Sequence, residues 1–424
     1  MVKVITYGTF DLLHHGHIRL LERAKALGDY LIVGVTSDDY DKTRGKINNQ
    51  QSLMERVAAV KATGIADEII VEEYEGQKID DIRRLGADIF TVGSDWTGKF
   101  DYLKEYCRVI YLPRTEGVSS SDIRSARKQI RIGIVGDLTF ERKFRQECGF
   151  VNGAVIAPDG FTYDDIDAVY VVSEPEERYR LVKDAILAGK HVLCQTPVCI
   201  GGEQCSELFR LADEQKVVLM DAIKTAYATA YQRLILLIKS GKIGEVLSVD
   251  ATCTSMINSM ENEEAFSKSR INSICAWGPI AMLPVFQILG TECSDIRIMS
   301  RIIDKDRMYD GFTKIDFLYK KAVASVKVAK AAKSEGELIV SGTRGYIYVP
   351  APWWKTEYFE ERHENPNENK RYFYQLDGEG IRNEIVAFLN AIKNGKDYSN
   401  VSRDVTNRIT AVIGDYYRGN IVEI

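Results

Sequence analysis

The sequence predicts an α/β protein built from two doubly wound parallel sheets and a third part with an open antiparallel sheet. Strand-like apolar runs alternate with segments of helical spacing over the first ~128 residues, which is typical of a parallel sheet with helices on both faces. A second strand–glycine–helix opening near residue 130 indicates that a new doubly wound unit begins there. From about residue 246, strand-like runs follow one another, which favours antiparallel pairing.

In the first part, buried strands alternate with amphipathic helices, and Gly28 is placed to cap the first helix. Strands are predicted over Val2–Tyr7, Tyr30–Thr36, Glu68–Val71, Ile89–Val92 and Val109–Leu112. Helices are predicted over His17–Leu27, Ser52–Thr63 and Asp80–Leu85. We place a domain boundary near Gln129, so the first domain spans residues 1–128.

The remainder divides into a second domain, 129–245, and a third, 246–424, whose final helices can pack on the second. Elements of the second domain are predicted over Ile130–Val135, Val169–Val172 and His191–Leu193 (strands) and over Glu177–Ala188 and Glu203–Glu214 (helices). Elements of the third are predicted over Leu247–Thr254, Asp295–Ile303, Ile315–Leu318, Ala322–Val328 and Glu337–Val340 (strands) and over Gly380–Lys393 and Arg403–Tyr417 (helices). The aromatic and charged stretch Trp353–Tyr374 is predicted to be an exposed hairpin or loop.

Composition excludes several classes of function. The chain has 424 residues and a net charge of −5, without the basic face that non-specific nucleic-acid binding needs. We find no apolar run long enough for a membrane span and no signal-peptide pattern at the start. The eight cysteines include no C-x-x-C pair, so we expect reduced thiols and a cytoplasmic location.

Three of the five histidines, His14, His15 and His17, lie within four residues. They follow the first predicted strand and open the first helix, in the segment Gly8–His17. Small residues there allow close backbone approach, and the free N–H groups of a helix N-terminus attract phosphate. We therefore predict a phosphate site at this point.

A second segment, Arg114–Ser121, follows the last strand of the first domain. It offers a guanidinium, several hydroxyls and the turn residue Gly117 before another helix start. These groups also suit phosphate oxygens.

Residues 1 to ~128 resemble the glycerol-3-phosphate cytidylyltransferases of the nucleotidyltransferase superfamily. The segment Tyr7–His17 carries the H-x-G-H signature, and Gly93–Asp101 and Tyr111–Gly117 also fit the family. The resemblance implies a Rossmann-like nucleotidyltransferase domain that transfers a cytidylyl group from CTP to a polyol phosphate and releases pyrophosphate. It also implies Mg²⁺ bridging the triphosphate, a homodimer, and a CDP-glycerol product that feeds teichoic acid or capsule-like polymers.

The resemblance assigns roles to particular residues. His14 and His17 contact the triphosphate and stabilise the transition state, Arg114 binds phosphates, Asp11 lies beside the site, and His15 has no chemical role. The implied nucleotide-binding residues are Gly8, Thr9, Phe10, Gly16, Asp95, Trp96, Thr115, Ser119 and Ser120. The implied residues for the acceptor phosphate are Arg44, Lys46 and Arg56, with Arg44 where the family has Lys. No protein side chain is implied as a metal ligand.

The region Ile130–Ile424 resembles the Gfo/Idh/MocA oxidoreductases. Segments Asp167–Val172, Ala188–Pro197 and Lys239–Val246 carry the resemblance. It implies a dinucleotide-binding Rossmann domain followed by an α/β domain with an open antiparallel sheet.

This second region departs from its family at the positions that carry chemistry. In the dinucleotide fingerprint Gly136 is kept, but Leu138 and Glu141 replace the other two glycines. The Lys that precedes Pro197 in the family is Thr196 here, and Ile280 falls where the catalytic His is expected. The segment from the fingerprint to Asp167 is also short, as though a helix around the adenosine half had been lost. Asp159 is still placed to bind a ribose, and Lys224 is placed to approach the cleft.

These departures predict weak NAD(P) binding and little hydride transfer, because general acid–base groups contribute about 10²–10⁴-fold. Two alternatives stay open. The chain is bifunctional, reducing a keto-polyol phosphate with NAD(P)H, or the second region is a non-catalytic binding or dimerisation module. A test of NAD(P) binding distinguishes them. The acceptor is also open: glycerol-3-phosphate is favoured over glycerol-2-phosphate or a longer polyol phosphate.

Overall fold

The computed structural model of the chain forms two compact units, Met1–Gln129 and Ile130–Ile424. The structure describes residues 1–43, 49, 51, 53–74, 76–113, 129–136, 141–151, 153–256, 271–374, 376–395 and 397–424. Among these residues no helix has the length and apolar character that crossing a membrane requires. All eight cysteines are free thiols, and six of them are buried.

The first unit has a five-stranded sheet in the order β3-β2-β1-β4-β5, and every neighbouring pair is parallel. Its strands are β1 (Lys3–Gly8), β2 (Tyr30–Thr36), β3 (Glu68–Glu72), β4 (Ile89–Gly93) and β5 (Arg108–Leu112). Its helices are α1 (His15–Lys25), α2 (Asp38–Thr43), α3 (Leu53–Ala62) and α4 (Gln77–Leu85). Strand order reverses between β1 and β4, which is where doubly wound sheets bind ligands.

Gly28 does not cap helix α1, contrary to the prediction. The helix ends at Lys25 with Ala26 as its cap. Gly28 is instead required by close packing, because a Cβ there would lie 2.6 Å from the carbonyl oxygen of Val2.

The second unit begins with a parallel sheet in the order β10-β9-β8-β6-β7. Its strands are β6 (Ile130–Gly136), β7 (Ala154–Ile156), β8 (Ala168–Val172), β9 (His191–Gln195) and β10 (Leu219–Ala222). Its helices are α5 (Arg142–Cys148), α6 (Pro175–Leu187), α7 (Gly202–Glu214) and α8 (Thr229–Lys239). A doubly wound sheet usually has one more strand beyond the second. Here the three-residue strand β7 is the edge, so the half of the sheet that holds an adenosine is reduced.

The largest sheet has the order β18-β17-β16-β15-β11-β14-β13-β12-β19. Its strands are β11 (Val246–Thr254), β12 (Asp295–Asp304), β13 (Tyr309–Leu318), β14 (Val323–Ala329), β15 (Leu338–Gly342), β16 (Tyr346–Val349), β17 (Tyr358–Arg362), β18 (Lys370–Phe373) and β19 (Val422–Glu423). The sheet is mixed, not antiparallel as predicted, since β11 pairs in parallel with β14 and β12 with β19. The connection from β11 to β14 is long enough to carry a helix and two strands, which makes parallel pairing possible.

Three helices complete this unit: α9 (Ser273–Leu289), α10 (Ile381–Asn394) and α11 (Arg403–Tyr417). The last of them packs on α7, where Arg403 donates two hydrogen bonds to Asp213 at 2.7 and 2.8 Å.

The stretch Trp353–Tyr374 is a hairpin, as predicted, but much of it is not exposed. Strands β17 and β18 extend the sheet, and Phe359 is fully buried. Trp353 is also buried and donates its indole N–H to the carbonyl of Thr252 at 3.1 Å. The aromatic residues therefore extend the core of the sheet.

Candidate functional site

The predicted phosphate loop lies at the carboxyl end of β1. Phe10 and Leu12 have φ angles of 53° and 49°, in the left-handed region that side chains seldom occupy. Phe10 is buried, and its ring lies edge-on to the imidazole of His17 with centroids 5.6 Å apart. A Cβ on Gly8 would lie 3.0 Å from that ring, so the phenyl ring packs there because position 8 has no side chain.

The two predicted catalytic histidines are stacked on each other. Their ring centroids lie 3.9 Å apart with an angle of 23° between the planes. His14 is the N-cap of α1, and its Nδ1 accepts the backbone N–H of Gly16 at 3.1 Å. Because Nδ1 accepts, the neutral ring carries its proton on Nε2 and can donate it to a phosphate oxygen.

His15 lies on the opposite side of this turn. It is exposed, and its Nε2 accepts from Arg19 Nε at 3.3 Å. The structure therefore separates it from the His14–His17 pair.

Arg56 lies fully buried behind the loop. Its Nη1 donates to the carbonyls of Thr9 at 2.7 Å and Thr36 at 2.8 Å, and its Nε donates to the carbonyl of Gln51 at 3.2 Å. Its Nη2 is paired with Asp38. This position differs from the predicted contact with an acceptor phosphate, because the guanidinium is engaged with the protein itself.

Asp11 and Thr9 are held by the same part of the unit. Asp11 is buried, and its Oδ1 accepts the backbone N–H of Gln51 at 3.1 Å. Thr9 donates its hydroxyl to Asp41 at 2.9 Å. The loop is therefore fixed from behind by backbone and side-chain bonds.

Asp95 and Trp96 lie in the turn Ser94–Trp96 directly after β4, across the point where strand order reverses. Asp95 is exposed and Trp96 is half-buried, with Phe100 5.8 Å from it between ring centroids.

Lys78 is a buried cation of this edge that the sequence analysis did not single out. Its ammonium is paired with Glu72 and lies 4.8 Å from the ring centroid of Tyr7 and 5.5 Å from that of Phe100. The available signal was its place at the start of α4, directly after the carboxyl end of β3.

Six further residues predicted for this site lie outside the described residues: Arg44, Lys46, Arg114, Thr115, Ser119 and Ser120. Ser121 and Leu138 lie outside them as well.

The second unit has a cavity of about 950 Å³ at the carboxyl edge of its parallel sheet. Residues after three strands line it, among them Ser173, Thr196 and Lys224. Ala276 and Ile280 of α9 line it as well. The structure thus brings Thr196 and Ile280 to one cavity, as the resemblance implied, and neither side chain is an effective acid or base at neutral pH.

Three lysines line this cavity, and Lys143 is paired with Glu147 at 3.6 Å. Lys224 is paired with Glu379, so it is not a free substitute for the lost Lys. Lys330 donates to the carbonyl of Ile271, and burial lowers the pKa of Lys330 to about 8. Pro197 does not line the cavity; it is buried, and its carbonyl accepts from Arg178 Nη1 at 3.0 Å.

Two carboxyl groups are buried at the same edge. Glu384 lines the cavity, and its Oε1 has no hydrogen-bond partner among the described residues. Burial and the neighbouring Asp221 raise the pKa of Glu384 well above its usual range. Burial also raises the pKa of Asp221 to about 7, although Thr196 and Arg178 act in the opposite direction. Glu384 could have been found in the sequence, since it interrupts the apolar face formed by Ile381, Ile385 and Phe388.

Of the dinucleotide fingerprint, the structure describes Gly136 and Glu141, while residues 137–140 lie outside the described residues. Gly136 has φ 118°, and a Cβ there would lie 2.0 Å from the carbonyl oxygen of Val172, so strand packing alone requires the glycine. Glu141 is buried and precedes α5. Arg145 joins it to Asp159, with distances of 2.7 Å to each carboxylate.

No group of three or more His, Cys, Asp or Glu residues that could hold a metal ion is found in the part of the chain that the structure describes.

Comparisons with known proteins agree with the geometry of the first unit. Residues 5–126 match the family described as cytidylyltransferase-like. The glycerol-3-phosphate cytidylyltransferase of Bacillus spizizenii is 52% identical over 124 residues, 29% of this chain and 95% of that protein. The chain belongs to the cytidylyltransferase family. The Staphylococcus aureus glycerol-3-phosphate cytidylyltransferase is 45% identical and is covered over 93% of its length. The chain is thus an enzyme of the nucleotidyltransferase class, and these relatives match its first unit only.

Outside the cytidylyltransferase domain, residues 143–222 match the oxidoreductase family with an NAD-binding Rossmann fold. A 3-ketoreductase from Actinomadura kijaniata, solved with NADP and TDP-benzene, has a TM-score of 0.60 at 16% identity and covers 70% of this chain and 99% of its own. An aldose-aldose oxidoreductase from Caulobacter crescentus, solved with glycerol, has the same TM-score and identity and covers 69% of this chain and 97% of its own. The second unit therefore has a Gfo/Idh/MocA-like fold; its activity does not follow from this likeness.

The buried carboxyl of Asp221 generates a prediction about stability. Its pKa rises from 3.8 to about 7 on folding, so its charged form destabilises the fold. That penalty is absent below the ordinary pKa, grows up to about pH 7 and is constant above it. Asp221→Asn should therefore raise the melting temperature more at pH 8 than at pH 5, as measured by calorimetry.

Asp213→Asn is a matched control. The ion pair with Arg403 lowers the pKa of Asp213, so this change should lower stability at pH 8. An equal shift for Asp221→Asn at both pH values would contradict the assignment.

Proposed function

We propose that the first unit transfers the cytidylyl group of CTP to glycerol-3-phosphate, giving CDP-glycerol and pyrophosphate. The observation that carries the proposal is the stacked His14–His17 pair at the start of α1, beside the carboxyl end of β1. Relatives with 45 to 52% identity over this unit, named for the same reaction, support the choice of substrates.

The chemistry asks for positioning and charge stabilisation more than for covalent work. A phosphate oxygen of glycerol-3-phosphate attacks the α-phosphorus of CTP in line. The new P–O bond forms as the bond to the β-phosphate oxygen breaks, and pyrophosphate leaves with that electron pair. His14, with its proton on Nε2, and His17 donate to oxygens on which negative charge grows.

The nucleotide would be bound on both sides of the strand reversal. We propose that Gly8, Thr9, Phe10 and Gly16 shape the phosphate loop. Asp95 and Trp96 bind ribose and cytosine from the turn after β4. By resemblance, further phosphate contacts come from Arg114, Thr115, Ser119 and Ser120.

The acceptor and the metal ion complete the proposal. Arg44 and Lys46 bind the acceptor phosphate by resemblance, while Arg56 acts as a positioning residue behind Thr9. Asp11 is the buried carboxylate beside the triphosphate. Mg²⁺ would be held mainly by the triphosphate and would offset its charge, as is usual for this ion.

A substrate panel tests this function. The full chain is mixed with CTP and either glycerol-3-phosphate, glycerol-2-phosphate or a longer polyol phosphate, and pyrophosphate release is followed. We expect the highest kcat/KM with glycerol-3-phosphate. Faster turnover with another acceptor would change the substrate, and no turnover with any of them would contradict the proposal.

For the second unit we propose that it catalyses no hydride transfer and that its cavity is a binding site. Thr196 and Ile280 stand where the family has its Lys and His, and neither side chain transfers a proton effectively at neutral pH. Lys330 also lines the cavity, where it donates to the carbonyl of Ile271. The unpartnered Oε1 of buried Glu384 supports a bound polar molecule, because a buried polar atom without a partner is costly. The bifunctional alternative requires turnover of NAD(P)H with dihydroxyacetone phosphate, which we expect to be absent.

Replacing each histidine separates the proposed roles. His14→Ala and His17→Ala should each lower kcat by orders of magnitude with the fold intact, because each imidazole meets charge that grows in the transition state. His15→Ala is the matched control and should be mild, since His15 is exposed and bonds Arg19. Near-normal turnover of His17→Ala would contradict the mechanism.

Arg114→Lys tests the proposed phosphate contact from the other segment. A guanidinium makes two parallel hydrogen bonds to a phosphate, whereas an ammonium is a point charge. We expect a clear loss of kcat/KM for CTP in steady-state kinetics. Arg108→Lys, at an exposed position of β5, is the control. Equal activity of Arg114→Lys and the natural chain would remove Arg114 from the site.

A further inference from the structure

The reduced half of the second unit carries an internal ion-pair network at the place where a dinucleotide would be bound. Arg145 lies between Glu141 and Asp159, and its Nε and Nη2 are each 2.7 Å from one carboxylate oxygen. Hydrogen bonds to Glu141 and Asp159 raise the pKa of Arg145, so the guanidinium stays charged. Arg145 lies on α5, Glu141 directly precedes that helix, and Asp159 follows β7.

Each carboxylate takes a position that a dinucleotide needs. Glu141 directly precedes α5 and is buried, so its negative charge lies where a pyrophosphate would approach the helix. Its Oε1 is paired with Arg145, and its Oε2 has no hydrogen-bond partner among the described residues. Asp159 follows the second strand of the sheet, the usual place of the ribose-binding acid, but it bonds Arg145.

Two further features of the described residues bear on dinucleotide binding. Helix α5 has only seven residues. The fingerprint glycine that is kept, Gly136, packs against Val172, so its missing side chain leaves no space for a phosphate. The residues present therefore do not fit a dinucleotide, although solved structures of similar fold hold NADP.

We infer that the Glu141–Arg145–Asp159 network closes the second unit to NAD and NADP, with its two carboxylates in place of the cofactor's pyrophosphate and ribose contacts. Repulsion between Glu141 and a pyrophosphate is strong here because the carboxylate is shielded from water. The guanidinium of Arg145 is neutralised by Glu141 and Asp159, so it is not free to bind a phosphate. The inference is independent of cytidylyl transfer by the first unit.

The test is a calorimetric titration of the full chain with NAD⁺, NADH, NADP⁺ and NADPH. We expect no saturable binding up to millimolar concentration. Saturable binding at micromolar concentration would overturn the inference.

A double variant tests whether removing the two carboxylates restores cofactor binding. Glu141→Ala with Asp159→Ala removes both carboxylates and frees Arg145 for a phosphate. We expect NADPH affinity to rise by at least about tenfold over a control with the same net charge, Asp164→Ala with Glu292→Ala. Both control residues are exposed. Equal affinity in the two double variants would show that the network is not what closes the site.

Glu141→Gln is a second variant, for the case that the double variant does not fold. It keeps the shape of the side chain and removes its charge, and thermal unfolding should show an intact second unit. NADPH affinity of this variant should lie between that of the natural chain and the double variant. No gain in Glu141→Gln together with no gain in the double variant would overturn the inference.

Discussion

Arg56 lies fully buried behind the loop that follows β1, and the first active site depends on it. Its guanidinium joins the carbonyls of Thr9 after β1, Thr36 at the end of β2 and Gln51 in the connection from β2 to β3. A buried cation is stable only with such partners, and breaking a buried pair typically costs about 3–5 kcal/mol. The loop can therefore keep Phe10 and Leu12 in left-handed conformations and hold Phe10 edge-on to His17.

Both units contain a parallel doubly wound sheet, but they differ at the carboxyl edge of that sheet. Both have a parallel sheet whose carboxyl edge offers a place for a phosphate-bearing ligand. In the first unit, a histidine caps the helix and presents a proton toward that place. In the second, Glu141 precedes the corresponding helix, and its charge is neutralised inside the chain by Arg145. We propose that the same kind of sheet supports a nucleotide site in the first unit and excludes a dinucleotide in the second.

Much of this could be predicted from local sequence. The parallel sheets follow from alternation of apolar runs and amphipathic segments, and the His14–His17 site follows from residues only three apart. The parallel pairing of β11 with β14 could not be predicted, because it joins strands separated by α9 and two other strands. Burial of Phe359 was also missed, since a charged neighbourhood hid an aromatic that completes the core.

The role of Arg56 shows the same limit in the site itself. A basic residue near a phosphate loop suggests a ligand contact, and only three-dimensional placement shows that the carbonyls of the loop occupy its donors. The Arg145 network escaped the sequence analysis for the same reason, because Asp159 lies 14 positions away and is joined to it only through the fold.

The central claim is that the chain joins a cytidylyl group to the phosphate of glycerol-3-phosphate and transfers no hydride. One reaction tests it: the full chain with CTP, glycerol-3-phosphate, dihydroxyacetone phosphate, Mg²⁺ and NADPH. Phosphorus NMR follows the nucleotides while the nicotinamide absorbance is recorded. The account predicts that CDP-glycerol and pyrophosphate accumulate while NADPH stays unchanged. Steady consumption of NADPH, or no CDP-glycerol, would contradict it.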